Sequence, residues 1–187
     1  MTETEVERVP GEPDMWFFVV FESLVFTSYF CVYLYSRAQH EAAFLDAQRA
    51  LRLPLGIVDT ICLLSSSWAM ARCAAAARAR QDRQAKNYAL VTAGLGVAFL
   101  ALKLVEWVRL IRGGHTFTSG DFMQHYFFLT GMHALHLLIG FVVLGILIRH
   151  LSNPSVRNQE RIETCTTYWH TVDLYWVIIF ALLYVAR

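Results

Sequence analysis

Five long apolar stretches, separated by polar segments, set the pattern of this chain. They occupy residues 15–35, 54–77, 88–108, 126–148 and 168–185. An α-helix rises 1.5 Å per residue, so crossing about 30 Å of hydrocarbon takes roughly 20 mostly apolar residues. The pattern therefore predicts an all-α, polytopic membrane protein whose five transmembrane helices form one bundle.

The second stretch is the most polar of the five. Asp59 and Arg72 shorten its apolar centre, and Ser65, Ser66 and Ser67 lie in the middle of it. We predict a span here, with a buried or interfacial helix as the alternative. The run at 72–86 is rich in Ala and Arg, and we expect it to prolong the second helix into the cytoplasm, where it meets anionic lipid headgroups.

The composition agrees with a membrane protein. Of 187 residues, 56% are apolar and 17% are charged, whereas about one quarter of a soluble domain is charged. The net charge of +1 excludes the basic surface of a nucleic-acid binder, so no nucleic-acid partner is expected. The four cysteines occur singly, which argues against a disulfide framework and against a zinc or iron–sulfur site.

Charge also predicts the orientation and the domain organisation. With the N-terminus inside, the inner connecting segments carry more Lys and Arg than the outer ones, as the positive-inside rule requires. Residues 1–14 are acidic, the wrong charge for a signal peptide, so we expect the first apolar stretch to be retained. We predict a cytoplasmic N-terminal segment at 1–14, then a single five-helix domain at 15–187, in a bacterial-type cytoplasmic membrane.

Several ionisable residues lie within the apolar stretches. A charge that faces lipid costs at least a few kcal/mol, so such residues usually turn inward and find partners. Counted from the membrane faces, Glu22, His170 and Asp173 fall at similar depths and predict an inner polar layer. Glu22 is interpreted either as a hydrogen-bonded structural carboxyl or as a proton-exchanging group.

An outer polar layer is predicted from Lys103, Glu106 and His133. Lys103 and Glu106 are three residues apart, so they share one helix face. We expect them to form an ion pair near the interface, with the Lys103 stem snorkelling outward. A structural role is the simplest interpretation of this pair.

Histidines and carboxylates at helical spacing also raise the hypothesis of a metal or heme site. A di-iron site in a bundle needs about four carboxylates and two histidines at one level. Glu106 and the His170/Asp173 pair differ in depth by roughly 20 Å, so we expect no metal ligand set and no catalytic residue. A heme needs only one or two axial ligands, which leaves His133, His136 or His170 as alternatives.

Four segments together resemble subunit III of the heme-copper oxidases. The most specific is residues 168–176, Tyr-Trp-His-Thr-Val-Asp-Leu-Tyr-Trp, preceded by Glu163. The others are Met-Trp-Phe at 15–17 with Glu22, Lys-Leu-Val-Glu-Trp at 103–107, and Thr-Gly-Met-His-Ala-Leu-His at 130–136. The resemblance covers most of the chain. The chain resembles the five-helix form of subunit III, which lacks the first two helices of the seven-helix type.

Within that form, the Leu-Leu-Ser-Ser-Ser stretch at 63–67 and the short loops look most similar to NorE-type nitric oxide reductase accessory proteins. The resemblance implies a non-redox component of a heme-copper oxidase or nitric oxide reductase complex. Such a component supports the stability, lipid binding and proton uptake of the catalytic subunit I. Phospholipid is then expected on this chain, and heme and copper on the partner.

The resemblance also implies roles for individual residues. The lipid-cleft and proton-handling positions are Glu22, Glu163, His170 and Asp173. The structural polar positions are Lys103, Glu106, His133 and His136, of which Lys103 departs from the uncharged polar residue of the classical members. Two alternatives are a transient NorE-like assembly or activation factor and a self-sufficient membrane heme or metal enzyme.

Overall fold

The computed structural model describes residues 13–153 and 157–186, and all regular structure in them is helical. The helices are α1 (Pro13–Gln39), α2 (Glu41–Gln48), α3 (Leu53–Arg78), α4 (Asp82–Arg112), α5 (Asp121–Ser152) and α6 (Gln159–Phe180), and a π-helical turn (Ala181–Val185) continues α6. Five of these helices, α2 excepted, are long and apolar enough to cross a membrane. This confirms the predicted all-α, five-span architecture, whereas most of the acidic segment predicted at 1–14 lies outside the described residues.

Each of the first four predicted spans lies inside one observed helix that extends beyond it, and the fifth, 168–185, runs from α6 to the end of the π-helical turn. The α4 helix has 31 residues, begins at Asp82 and carries Arg109 and Arg112 in its last turn. Acidic residues at the start of a helix and basic residues at its end interact favourably with the helix dipole. These polar ends lengthen α4 past its apolar centre, so Lys103 lies more than two turns before the end of the helix.

The predicted prolongation of the second helix through residue 86 was wrong beyond Arg78. Arg80 adopts a left-handed conformation with φ of 59°, and the amide of Gln81 donates to the carbonyl of Ala76 at 2.9 Å. This is the hydrogen bond that closes a helix end of the Schellman type. Residues 82–86 therefore begin α4, and a tight turn brings α4 back against α3.

The short helix α2 was not predicted from the sequence. Its eight residues are too few to cross a membrane. Phe44 is buried and contacts the rings of Tyr33 and Phe122, with centroid distances of 5.8 and 5.7 Å. Thus α2 packs against α1 and the start of α5.

The last spanning segment forms the centre of the bundle. Within an apolar 18-residue stretch of each span, half of the residues are buried in α6 and its π-helical turn, compared with 17% in α1. The α6 helix contacts α1, α3 and α5, and its large side chains Trp169 and Trp176 are fully buried. Gly140 of α5 allows this packing, because a Cβ atom there would lie 3.2 Å from the Trp169 ring.

The end of α6 is held by α1 and α2. The final carbonyls of a helix lack intrahelical partners. Side chains donate to carbonyls near this end: Tyr33 Oη to Leu182 at 3.0 Å, Arg37 Nη1 to Ala186 at 2.8 Å, and Gln48 Nε2 to Leu183 at 2.9 Å and to Ala186 at 3.0 Å. We refer to Tyr33, Arg37 and Gln48 as the α6-end clamp.

Candidate functional site

One buried polar group joins α3, α4, α5 and the π-helical turn. We call it the Lys103 cluster, and its members are Asp59, Lys103, Glu106, Tyr126 and Tyr184. The Lys103 Nζ atom lies 2.8 Å from Asp59 Oδ2 and 2.7 Å from Glu106 Oε2, and it donates to the Tyr184 hydroxyl at 3.0 Å. The predicted Lys103–Glu106 ion pair is therefore confirmed, with Asp59 as a further partner.

The expectation that Lys103 snorkels to the interface was wrong. Its side chain is only 1% exposed, as is that of Asp59, and Glu106 is fully buried. Two carboxylates hold the ammonium in the bundle, and its Nζ atom lies 4.6 Å from the ring centroid of Trp176. An ammonium close to a desolvated aromatic ring is stabilised by the ring quadrupole.

Glu106 accepts most of the hydrogen bonds in the cluster. Its Oε2 atom accepts from Tyr184 at 2.7 Å and from Tyr126 at 3.0 Å, as well as from Lys103. Asp59 has the Lys103 ion pair alone, and its Oδ1 atom has no hydrogen-bond partner within the described residues. The two carboxyl groups therefore differ strongly in their surroundings.

A second polar pair joins α1 to α5. Glu22 Oε2 lies 3.1 Å from His136 Nε2, and both side chains are largely buried. The His136 Nδ1 atom lies 2.8 Å from the Met132 carbonyl, which only accepts, so Nδ1 carries a hydrogen. The Glu22–His136 contact then holds a single shared proton, either as imidazolium and carboxylate or as imidazole and carboxylic acid.

The shared proton lies beside an apolar cavity of about 320 Å³ between α1 and α5. Among its lining residues are Glu22, Phe26, Tyr29, Leu129, Met132 and His136. The pair supplies the ionisable groups of a wall that is otherwise mostly apolar. The apolar wall suits a hydrocarbon chain, which would then lie beside the proton shared by Glu22 and His136.

The inner layer predicted from Glu22, His170 and Asp173 does not form as expected. Glu22 pairs with His136, whereas His170 Nδ1 lies 2.7 Å from Ser67 Oγ of α3. Asp173 is 4% exposed, and its carboxylate oxygens have no hydrogen-bond partner in the described part of the chain. The sequence indicated only how deep each residue lies in the membrane. In the structure, His136 of α5 lies beside Glu22, whereas His170 of α6 contacts α3.

Glu163 and His133 are the remaining predicted positions. Glu163 Oε1 accepts from Arg78 Nε at 3.0 Å, which ties α6 to α3. His133 is 1% exposed and packs on Phe99 and Trp176, with ring centroids 5.4 and 5.1 Å away. Among the residues that the structure describes, no three His, Cys, Asp or Glu side chains converge as a metal site would require.

Of the charged members of the Lys103 cluster, Asp59 is the one that the sequence analysis missed. It was noted only as a charge that interrupts the second apolar stretch. A carboxylate within a span normally has a cationic partner, and Lys103 is the only lysine inside any of the predicted spans. This complementarity was the available signal.

Comparison with known proteins finds the same family over nearly the whole chain. Residues 12–186 match the family described as cytochrome c oxidase subunit III. Cytochrome c oxidase subunit 3 of Synechocystis sp. is 32% identical over 98% of this chain and 81% of its own length. The protein of the same name from Thermostichus vulcanus is 30% identical over 98% of this chain and 94% of its own.

A third relative is a longer protein. The heme-copper oxidase subunit I+III of Aeropyrum pernix is 28% identical over 91% of this chain, which matches 22% of that protein's length. The name of this relative includes both subunit I and subunit III. The match therefore covers a small part of a larger protein.

Proposed function

Because this chain belongs to the cytochrome c oxidase subunit III family, we propose that it is a non-redox subunit of a respiratory heme-copper complex. Family membership implies association with other oxidase subunits, among them subunit I. In this proposal the partner holds heme and copper. The present chain supports the stability of that partner, binds phospholipid and sustains proton uptake.

The Glu22–His136 pair beside the α1–α5 cavity is the observation that carries the proposal. Glu22 Oε2 and His136 Nε2 lie 3.1 Å apart and share one proton. The cavity beside them has mostly apolar walls. A lipid acyl chain matches such walls, because neither requires a hydrogen-bond partner. A carboxyl and an imidazole within hydrogen-bond distance can pass a proton between them.

The other polar positions support the bundle in this proposal. Glu163 and Arg78 join α6 to α3, and His170 joins the same helices through Ser67. These contacts keep α6 in place, and α6 in turn packs against α1 beside the cavity. The proposed lipid and proton site therefore depends on them indirectly.

Purification tests the association with a catalytic partner. The tagged chain is extracted from its native membrane in a mild detergent, and the copurifying proteins and the optical spectrum are recorded. We expect a heme-copper subunit I to copurify at unit stoichiometry. When the two chains are then separated, the heme absorption should be found in the subunit I fraction. Recovery of this chain alone with stoichiometric heme or iron contradicts the proposal, and substoichiometric capture by a nitric oxide reductase supports the NorE-like accessory role instead.

A pair of variants tests the role of Glu22. Glu22→Gln removes the shared proton, whereas Glu41→Gln changes an exposed glutamate of α2. We expect Glu22→Gln to reduce proton uptake and the lifetime of turnover in the assembled complex, and Glu41→Gln to leave both unchanged. Equal behaviour of the two variants contradicts the proposed role of the pair.

A further inference from the structure

We propose that the Lys103 cluster is a proton-binding site that holds one proton on the Asp59 carboxyl group, while Lys103 and Glu106 remain ionised. The proposal concerns this chain by itself. It therefore does not depend on the proposed role as subunit III.

The charge balance of the cluster calls for one proton. Asp59 and Glu106 contribute two carboxyl groups against the single ammonium of Lys103, and all three side chains are 99% or more buried. Fully ionised, the cluster would carry one unpaired negative charge within the bundle, which costs several kcal/mol. One bound proton makes the cluster neutral.

The groups that face the cluster from the neighbouring elements do not supply the missing charge. Tyr126 of α5 and Tyr184 of the π-helical turn both donate to Glu106, so both are neutral phenols. His133 of α5 has no acceptor for either ring nitrogen within the described residues, whereas an imidazolium would need two. The Arg109 guanidinium, also on α4, donates to the Ala50 carbonyl between α2 and α3.

The hydrogen bonds favour Asp59 as the carboxyl that holds the proton. Glu106 Oε2 accepts from Lys103, Tyr126 and Tyr184, and donors converging on one oxygen stabilise the ionised form. Asp59 has one ionic contact, through Oδ2, against the three donors on Glu106. One oxygen of each carboxyl group, Oδ1 of Asp59 and Oε1 of Glu106, has no partner within the described residues. The negative charge is therefore better placed on Glu106, and Oδ1 of Asp59 is free to take the hydrogen.

Infrared spectroscopy of the full chain detects the proton directly. A protonated carboxyl group shows a C=O stretching band that a carboxylate lacks, and this band shifts in D₂O. In the difference spectrum between the unsubstituted protein and Asp59→Asn at pH 7, we expect one such band. It should move to lower frequency when aspartate is labelled with ¹³C at its carboxyl group and stay in place when glutamate is labelled.

The matched control is Asp46→Asn, which changes an aspartate with an 81% exposed side chain in α2. We expect no protonated-carboxyl band in its difference spectrum. Other buried carboxyl groups, such as Asp173, are present in both members of each comparison and cancel. Absence of a band with Asp59→Asn, or a band that follows the glutamate label, overturns the proposal.

Two more variants test the charge balance. Glu106→Gln leaves one carboxyl group against one ammonium, so we expect loss of the Asp59 band. Lys103→Met removes the ammonium, so we expect an additional protonated-carboxyl band wherever this variant folds. Retention of the Asp59 band in Glu106→Gln contradicts the charge balance and overturns the proposal. This outcome is decisive even when Lys103→Met does not fold.

Discussion

At the scale of single residues, Lys103 is the one cation among the members of the Lys103 cluster. Its ammonium contacts Asp59 on α3, Glu106 on α4 and Tyr184 in the π-helical turn. Removing one partner of a buried ion pair leaves the other charge without compensation, which is costlier than never burying the pair. The stability of the bundle should therefore depend on Lys103 far more than on a surface cation.

We predict that Lys103→Met lowers the free energy of unfolding by about 3 to 5 kcal/mol, because the buried Glu106 carboxylate loses its countercharge and Asp59 loses its ionic contact. Unfolding in one detergent, followed by circular dichroism, measures the change. Lys86→Met is the matched control, since Lys86 lies on the same helix but is partly exposed, and we expect it to change stability by less than about 0.5 kcal/mol.

The same measurement on a triple variant separates charge from packing. Adding Asp59→Asn and Glu106→Gln to Lys103→Met leaves no buried charge without a partner in the cluster, so we expect much of the lost stability to return. A triple variant as unstable as the single one would show that the Lys103 side chain acts by packing.

Residue pairs on one helix were predictable, and pairs between helices were not. The three-residue spacing of Lys103 and Glu106 places them on one face whatever the tertiary structure. Glu22 and His136 lie on helices whose adjacency depends on the order of the helices around the bundle. The sequence indicates the depth of a residue in the membrane and leaves that order open, so Glu22 was grouped with His170 and Asp173.

At the scale of elements, the close approach of α3 to the end of α6 supports the Lys103 cluster. A Cβ atom on Gly56 would lie 2.8 Å from Cδ1 and 2.9 Å from Cε1 of the Tyr184 ring. That ring has little freedom to move away, because its hydroxyl is bonded to Lys103 and Glu106. A small residue is therefore required where α3 passes the π-helical turn.

We predict that Gly56→Ala destabilises the protein by about 1 to 3 kcal/mol, the usual effect of overpacking a buried contact. The midpoint of thermal unfolding in detergent reports it. Gly94→Ala, where a Cβ atom would meet nothing within 4 Å, should leave the midpoint unchanged or raise it, because alanine favours the helix. A similar loss in both variants would place the effect in the helices themselves.

The α6-end clamp leads to a local prediction. Gln48 is 5% exposed and donates to two carbonyls at the end of α6. Gln48→Ala should therefore increase amide hydrogen exchange in residues 180–186, because this segment then opens more readily. Mass spectrometry of the corresponding peptide measures the exchange, and Gln39→Ala, which changes an exposed residue of α1, is the control. Unchanged exchange in Gln48→Ala contradicts a role for Gln48 in holding the turn.

Helix centres were predictable from hydropathy, and helix ends were not. The apolar centres of all five spans were located correctly, because burial in lipid requires them. The end of α3 is set by one residue in a left-handed conformation, Arg80, where a glycine would have been the usual signal. The helix α2 is stabilised by Phe44 against Tyr33 and Phe122, contacts that exist only after the spans have assembled.

At the scale of the whole molecule, the chain has five helices long and apolar enough to cross a membrane, and it belongs to the cytochrome c oxidase subunit III family. The excess of Lys and Arg in one set of connecting segments predicts a cytoplasmic N-terminus. With that orientation, the turn between α3 and α4 faces the cytoplasm and the segment between α4 and α5 faces the opposite side.

Cysteine labelling tests this orientation. Thr118→Cys and Gln81→Cys are made in a background in which the two native cysteines that are not buried, Cys31 and Cys62, are replaced by alanine. In intact cells with a permeable outer layer, a maleimide that cannot cross the cytoplasmic membrane should label Thr118→Cys and spare Gln81→Cys. The reverse pattern would show that the N-terminus lies outside.

The α6-end clamp also determines when the fold can be completed during synthesis. Gln48 and Tyr33 are made 135 and 149 residues before the carbonyls to which they donate. Until α6 has entered the membrane, α1 and α2 carry donors whose final acceptors do not yet exist. Closure of the bundle is therefore a late step of biogenesis. A chain that stalls before its last span lacks the hydrogen bonds that join α1 and α2 to the end of α6.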